Sequence, residues 1–200
     1  GDVERKFFKD DFSVDSSENW TLQTGSLTIA SGSLQVTGLP KGDNFYSLTP
    51  TLAPEDARKI SFVASIDSAN VGTGSYRYIR GYVGDTQLFN IFRRNNDTRV
   101  FIQMFGISTT KIYADNSRYD FTLHADGTYQ AYVNGVSVLS GSGATLPSGA
   151  FTFRLRTSFA GSNSVIFEMK DVSIASSESY ADDFSSDTTE RYQPVLGTVA

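Results

Sequence analysis

Cysteine is absent from the 200-residue chain, and methionine and tryptophan are scarce, with 2 and 1 residues. Without cysteine the protein can have no disulfide, no zinc–thiolate site and no catalytic thiol. No apolar run approaches the ~20 residues that a membrane-spanning helix needs, so membrane insertion is not expected. Proline is rare as well, at 5 residues, and the 17 glycines fall mainly in polar turn segments. This composition is typical of a folded domain, not of a disordered or collagen-like chain.

Helical periodicity is nearly absent, whereas apolar and polar residues alternate along most of the chain. The 10 Tyr and 15 Phe favour half-buried pleated surfaces. Asp126-Gly127 and Asn134-Gly135 predict two consecutive tight hairpins, and only Ala53–Ala57 is predicted to form a helical turn. The predicted fold class is all-β, a two-sheet antiparallel β-sandwich. The predicted strands are Ser26–Ala30, Ser33–Thr37, Phe45–Thr49, Lys59–Asp67, Ser75–Val83, Gln87–Arg93, Arg99–Phe105, Tyr119–Ala125, Thr128–Val133, Val136–Ser140, Ala150–Thr157 and Ser164–Ile174.

Charge is unevenly distributed along a chain whose net charge is −5. Residues 77–156 contain eight Arg and one Lys against five Asp, a net +4, whereas the rest of the chain carries −9. A basic region within an acidic protein predicts a local surface for an anionic partner. The alternative is that these arginines are solubilising charges at sheet edges. A pI near 4.8 and few lysines argue against nucleic acid as a partner.

The two ends of the chain contain similar segments. Residues 10–20 (DDFSVDSSENW) align without gaps with residues 182–192 (DDFSSDTTERY), and Gly25 aligns with Gly197. This similarity predicts a tandemly repeated domain, whose partners are neighbouring domains of the same parent chain. The alternative is one strand motif used twice within a single fold. The predicted boundaries are a leader or linker at 1–9, a sandwich at 10–175, and a linker with the start of a repeat-like segment at 176–200.

Three parts of the chain carry a family resemblance: residues 10–13 (DDFS) with Trp20 and Gly25, residues 119–135 (YDFTLHADGTYQAYVNG), and residues 167–174 (FEMKDVSI). Together they resemble the concanavalin A-like lectin/glucanase superfamily, particularly its laminin-G-like and carbohydrate-binding modules. The resemblance implies a jelly roll with adjacent first and last strands and with ligands on the concave sheet or its rim. It also implies a structural Ca²⁺ near the joined termini, where Asp10, Asp11 and Asp171 are the matching positions. The alternative is that the first two cap a turn and that Asp171 is a solvated strand residue.

The motifs of the superfamily's enzymes are missing. Its glycosidases resemble one another in a strand motif Glu-x-Asp-x-x-Glu with carboxylates ~5–5.5 Å apart, and none of the six Glu stands in this motif. Glu168 and Asp171 are expected on opposite faces of a strand, because side chains alternate. The only histidine, His124, precedes a turn, and the jelly-roll lyase motifs are absent. We therefore predict that the isolated module is not an enzyme, even if its parent protein is a glycoside hydrolase or polysaccharide lyase.

Sugar recognition combines flat aromatic rings with forked hydrogen-bond donors, and Arg binds carboxylates in this way. Residues 76–82 (YRYIRGY) interleave both types, and the sequence leaves open which face of this strand is exposed. We predict a secreted or cell-surface module that binds an acidic polysaccharide. The alternative is a structural or adhesion repeat domain of a large cell-surface protein, without a sugar site. The candidate binding residues are Arg77, Tyr78, Arg80, Tyr82, Arg93, Arg99, Gln103, Tyr132, Arg154 and Arg156.

Overall fold

The computed structural model describes residues 6–67, 75–159 and 165–176. Within these ranges the chain forms fifteen strands and a single-turn 3-10 helix at Ser17–Asn19. No helix in these ranges has the length and apolar character that a membrane crossing requires. In chain order the strands are β1 (Phe7–Asp10), β2 (Trp20–Leu22), β3 (Ser26–Ala30), β4 (Ser33–Thr37), β5 (Tyr46–Pro50), β6 (Lys59–Ile66), β7 (Tyr76–Val83), β8 (Thr86–Arg94), β9 (Arg99–Met104), β10 (Ile107–Ile112), β11 (Ser117–Leu123), β12 (Tyr129–Val133), β13 (Val136–Gly141), β14 (Phe151–Thr157) and β15 (Phe167–Ala175).

The strands form two antiparallel sheets that pack as a sandwich, which confirms the predicted fold class. The eight-stranded sheet has the order β13-β12-β11-β6-β15-β4-β3, and β1 pairs with β15. The seven-stranded sheet has the order β10-β9-β8-β7-β14-β5-β2. The predicted meander is present as β11-β12-β13, and Asn134 and Gly135 turn its second hairpin with φ of 50° and 80°. These left-handed values are the ones that a two-residue type I′ turn requires.

The core lies between the two sheets and consists largely of aromatic rings. Alternation along β6 buries Ile60, Phe62, Ala64 and Ile66, as the sequence predicts. The Phe62 ring packs edge-on against Phe153 at a centroid distance of 5.5 Å, and it also contacts Phe89, Phe121 and Tyr119. Because Phe153 and Phe89 belong to the seven-stranded sheet, Phe62 joins the two sheets at the centre of the sandwich.

The sandwich begins earlier than the predicted boundary at residue 10. Phe7 and Phe8 are buried in β1, which pairs antiparallel with β15 from Phe7 opposite Ala175 to Asp10 opposite Val172. The first and last strands are therefore adjacent, as the resemblance implies. The predicted tail at 176–200 lies outside the described residues except for Ser176, whose backbone N–H donates to the carbonyl of Lys6.

Three strands were not among those predicted from sequence, namely β1, β2 and β10. β1 and β2 are only four and three residues long, and β10 has no buried residue, so neither length nor alternation marks them. The predicted helical turn at Ala53–Ala57 is wrong. Glu55 instead forms an isolated bridge with Ala150, and Asp56 has a left-handed φ of 55°, which a right-handed helix cannot accommodate.

Candidate functional site

The outer face of the seven-stranded sheet collects most of the candidate binding residues. Along β7 the side chains of Tyr76, Tyr78, Arg80 and Tyr82 are half-buried, whereas the intervening residues are fully buried. Since alternate residues of a strand point to opposite faces, the first set points outward. We call this outer surface the arginine face. Its outward residues are Tyr76, Tyr78, Arg80 and Tyr82 of β7, Asn90, Phe92 and Arg94 of β8, Arg99, Phe101 and Gln103 of β9, Thr152, Arg154 and Arg156 of β14, and Phe45 and Ser47 at β5.

An aromatic row crosses the arginine face. Tyr78 lies opposite Phe92, which lies opposite Phe101 on the next strand. The ring centroids of Tyr78 and Phe92 are 5.2 Å apart, and those of Phe92 and Phe101 are 4.7 Å apart in a stacked arrangement. Tyr76 extends the row by stacking on Tyr78 at 5.7 Å. These half-buried rings form an apolar strip, in which Phe92 and Phe101 cover each other's faces and Arg94 lies over the Phe101 ring at 4.3 Å.

A polar row runs beside the aromatic row, in register across six strands. The cross-strand pairs are Ser47 with Arg154, Arg154 with Arg80, Arg80 with Asn90, Asn90 with Gln103, and Gln103 with Ser108. With strands about 4.8 Å apart, the row spans roughly 24 Å. The amide of Asn90 donates to Gln103 Oε1 at 2.9 Å, which fixes both side chains in the row.

Three arginines of the arginine face form ion pairs with two carboxylates in adjoining loops. Arg94 and Arg99 both form ion pairs with Asp97 at 2.9 Å, and Arg156 pairs with Asp43 at 2.6 Å. Hydrogen bonds, chiefly from the Arg99 side chain, hold the pKa of Asp97 well below its usual range. These ion pairs lie at the margin of the face, where two carboxylates balance two of the three arginine charges.

Arg80 and Arg154, in contrast, have no carboxylate partner among the described residues. They lie directly opposite each other on β7 and β14, an arrangement in which like charges repel. Their guanidinium groups lie over aromatic rings, Arg80 over Phe45 at 4.1 Å and Arg154 over Tyr82 at 3.7 Å. The centre of the arginine face therefore carries two uncompensated positive charges, held flat by cation–π contacts.

Of the predicted binding residues, the structure brings seven together on the arginine face and places three elsewhere. Tyr132 lies on the opposite sheet, where β12 follows β11. Arg77 and Arg93 belong to the inner faces of β7 and β8, so neither is available to a ligand on the arginine face. The seven on the face are Tyr78, Arg80, Tyr82, Arg99, Gln103, Arg154 and Arg156.

Arg77 and Arg93 instead form hydrogen bonds to the chain at the C-terminal end of β6. Arg77, only 1% exposed, donates from Nη1 to the carbonyl and to Oδ2 of Asp67 and from Nε to Thr157 Oγ1. Arg93 donates to the carbonyl of Ile66 at 2.7 Å and lies 3.5 Å above the ring of Tyr113. Burial beside these groups raises the pKa of Tyr113 to about 12. Both arginines thus connect the two sheets and serve stability.

Sequence reasoning missed Phe45, Asn90, Phe92 and Phe101 as members of the arginine face. The residues next to them in sequence do not indicate a binding surface. Only the cross-strand register shows that Asn90 lies beside Arg80 and that Phe92 lies beside Tyr78. The strong alternation of aromatic and charged residues in β7 was the one local signal available. Its partners on other strands become visible only once the sheet order is known.

The three predicted calcium ligands do not form a metal site in the structure. Asp10 accepts hydrogen bonds from Phe12 N, Ser16 Oγ and Trp20 Nε1, so both of its oxygens are occupied. Asp11 accepts from Ser13 N, and Asp171, at the bulge of β15, pairs with Arg118 at 2.8 Å. Within the described ranges no three His, Cys, Asp or Glu side chains come together as a metal cluster. These residues do not fit the Ca²⁺ site that the resemblance implies.

Asp10 is a structural residue whose removal we expect to be costly. Asp10→Ala leaves two N–H donors and one hydroxyl without their acceptor, so we expect a loss of about 3 kcal/mol in the free energy of unfolding. Asp11→Ala, a control at an exposed turn, is expected to cost less than about 1 kcal/mol. Urea unfolding with and without a chelator measures both. A calcium-dependent stabilisation of the wild type that Asp11→Ala abolishes would contradict this assignment.

The repeat-like segment 182–192 lies outside the described residues, so the tandem repeat stays a prediction. Its sequence retains matching side-chain types at the positions of the Asp10 network. Asp10, Phe12, Ser16 and Trp20 correspond to Asp182, Phe184, Thr188 and Tyr192.

No family model matches the sequence, and no curated protein matches it. Solved structures do share the fold. A LamA variant from Z. galactanivorans in complex with laminaritriose and laminaritetraose has a TM-score of 0.58 at 12% identity, over 86% of this chain and 98% of that chain. Lectin II from Ulex europaeus has a TM-score of 0.57 at 10% identity, over 86% and 99%. The Botulinum neurotoxin serotype D binding domain has a TM-score of 0.57 at 15% identity, over 88% of this chain and 48% of that chain. The chain thus has the concanavalin A-like jelly-roll fold of glucanases, lectins and neurotoxin binding domains.

Proposed function

We propose that the protein is a non-catalytic, extracellular carbohydrate-binding module, and that the arginine face binds an acidic polysaccharide. The single observation that carries this proposal is the Arg80–Arg154 pair. Arg80 and Arg154 are cross-strand neighbours without a carboxylate partner among the described residues, and their guanidinium groups lie over different rings, Phe45 and Tyr82. A ligand carboxylate that both side chains reach would supply the missing negative charge, because a guanidinium can donate two parallel hydrogen bonds to a carboxylate.

The two rows fit a polysaccharide that runs across the strands. Sugar rings would pack against the aromatic row while hydroxyl groups bond to Gln103 and Ser108 of the polar row. Such a chain would cover several strands, since the polar row spans roughly 24 Å at the usual strand spacing. Several sugar residues would then be bound at once, with Arg80 and Arg154 selecting for an acidic residue near the middle.

The non-catalytic part of the proposal is supported by the composition of the sheet. None of its seven strands contains Asp or Glu. A glycosidase of the usual kind needs two carboxylates about 5–10 Å apart across the scissile bond. Two acidic residues beside the arginine face, Asp43 and Asp97, are held in ion pairs at its margin. The arginine face therefore offers donors for binding but no pair of carboxylates for hydrolysis.

Affinity electrophoresis through gels that contain neutral or acidic polysaccharides tests the proposal. We expect retardation in polyuronate or sulfated gels and little in neutral glucan gels. Retardation should weaken as salt is raised, because exposed charge contacts are screened within ~3 Å at 1 M. Equal retardation by neutral and acidic gels, or retardation that high salt leaves unchanged, would refute the arginine mechanism. Release of reducing or unsaturated sugar ends by the purified protein would refute the non-catalytic role.

A further inference from the structure

A polar cavity lies on the side of the molecule opposite the arginine face, on the outer face of the eight-stranded sheet. Its volume is about 380 Å³, within the range of about 300–1,000 Å³ typical of small-molecule sites. Three adjacent strands line it, with Lys59 from β6, Asp120 and Thr122 from β11, and Gln130 and Tyr132 from β12. His124 and Gly135, in the turns that follow β11 and β12, complete the lining. The cavity is thus separated from the arginine face by the whole thickness of the sandwich.

The register of the three strands brings these polar groups into two short rows. Asp120 lies opposite Tyr132, while Thr122 lies opposite both Gln130 and Lys59. The hydroxyl of Tyr132 donates to Gln130 Oε1 at 2.6 Å, which directs the donor end of the amide away from that contact. Asp120 is half-buried, and its carboxylate accepts no side-chain hydrogen bond from the part of the chain that the structure describes.

This set of groups suits a ligand rich in hydroxyls and without net charge. A carboxylate accepts hydrogen bonds from two neighbouring hydroxyls of a sugar. An amide N–H and a threonine hydroxyl donate hydrogen bonds to the oxygen atoms of such hydroxyls. The half-buried ring of Tyr132 supplies a flat apolar surface beside them. Lys59 and Asp120 carry opposite charges, so the lining has no net charge that would select an acidic sugar.

We propose that this cavity is a second binding site, which takes a single neutral sugar residue. It is independent of the acidic-polysaccharide site proposed for the arginine face, and Tyr132 belongs to it. A module with one site on each sheet would bind two glycans of different charge at the same time.

Amide-resolved NMR titration of the protein with neutral methyl glycosides of glucose, galactose and mannose tests this inference. We expect one of them to shift the amide signals of Asp120, Thr122, Gln130, Tyr132 and Gly135 and to leave the arginine face unchanged. Asp120→Asn, which keeps the side chain's shape, should weaken binding about tenfold, because it removes charge-assisted hydrogen bonds. Thr28→Ala, on the same sheet at exposed β3, should bind like the wild type.

Variants at one site distinguish the two sites. Arg80→Gln/Arg154→Gln should show the same amide shifts with neutral sugars as the wild type. Asp120→Asn should be retarded by acidic gels as strongly as the wild type. Absence of shifts with every glycoside, shifts confined to the arginine face, or full affinity in Asp120→Asn would overturn the second site. Tyr132→Phe, which removes only the hydroxyl that orients Gln130, should fold and show a smaller loss of affinity than Asp120→Asn; an unchanged affinity would argue against this arrangement.

Discussion

Replacing Arg80 and Arg154 together with Gln is expected to lower the affinity for an acidic polysaccharide by about 100-fold or more. A hydrogen bond to a charged group contributes about 1.5–3 kcal/mol, and about 1.4 kcal/mol corresponds to a tenfold change in affinity. Each single variant should therefore lose at least about tenfold. Isothermal titration with an acidic oligosaccharide, or retardation in an acidic gel, measures the effect.

The physical reason is specific to these two positions. Arg80 and Arg154 form no ion pair among the described residues, so their positive charge is available to a ligand. Arg94, Arg99 and Arg156 already have Asp97 or Asp43 as partners. The double variant is also expected to fold, because the relief of like-charge repulsion offsets part of the cation–π contacts that it loses.

A charge-matched control separates this mechanism from a general effect of net charge. Lys111→Gln/Lys170→Gln removes the same number of positive charges from exposed positions on β10 and β15. We expect this control to change the affinity less than about threefold, since distant exposed charges are screened at physiological salt. Equal losses in the two double variants would show that binding depends on overall charge and not on the arginine face.

Arg77→Ala is expected to produce the largest loss of stability among single arginine variants. The substitution removes the hydrogen bonds to Asp67 and Thr157 and the contact with the Phe159 ring at 4.1 Å. Breaking a buried ion pair costs about 3–5 kcal/mol. Because the Asp67 side chain is 42% exposed and can be rehydrated, we expect a loss of about 3 kcal/mol in the free energy of unfolding, the lower end of this range. For a domain of this size that corresponds to a fall in Tm of roughly 6–12 °C.

Lys170→Ala is the matched control, since Lys170 forms a surface ion pair with Glu168 at 3.4 Å. Exposed pairs contribute about 0–1 kcal/mol, so Tm should change little. Arg77→Met, which keeps the packed length of the side chain, should lose less than Arg77→Ala. Equal Tm values for Arg77→Ala and Lys170→Ala would show that the buried guanidinium does not hold the sheets together. Retained polysaccharide affinity in folded Arg77→Met would agree with its position inside the core.

Local sequence patterns predicted the strands whose two faces differ. β6 alternates Ile60, Phe62, Ala64 and Ile66 with polar residues, and its inward face follows directly. β7 could not be resolved in this way, because both of its faces carry an arginine and large residues. Only pairing with β8 and β14 shows that Arg80 faces outward while Arg77 packs inside.

The positions of Tyr132 and Asp171 depended on long-range structure as well. Tyr132 resembles the other candidates in sequence, yet the order of the strands assigns β12 to the opposite sheet. Asp171 lies where the register between β15 and β6 shifts, and its φ of 52° interrupts the alternation on which the prediction relied. A bulge of this kind cannot be recognised from a period-two pattern of apolar and polar residues. The ion pair between Arg118 and Asp171 could therefore not be predicted.

A crystal structure of the protein with an acidic oligosaccharide bound tests the central claim most directly. We expect sugar rings against the aromatic row and one ligand carboxylate within hydrogen-bond distance of both Arg80 and Arg154. An acidic oligosaccharide bound elsewhere on the molecule, with this arginine pair still unoccupied at saturating ligand, would contradict it.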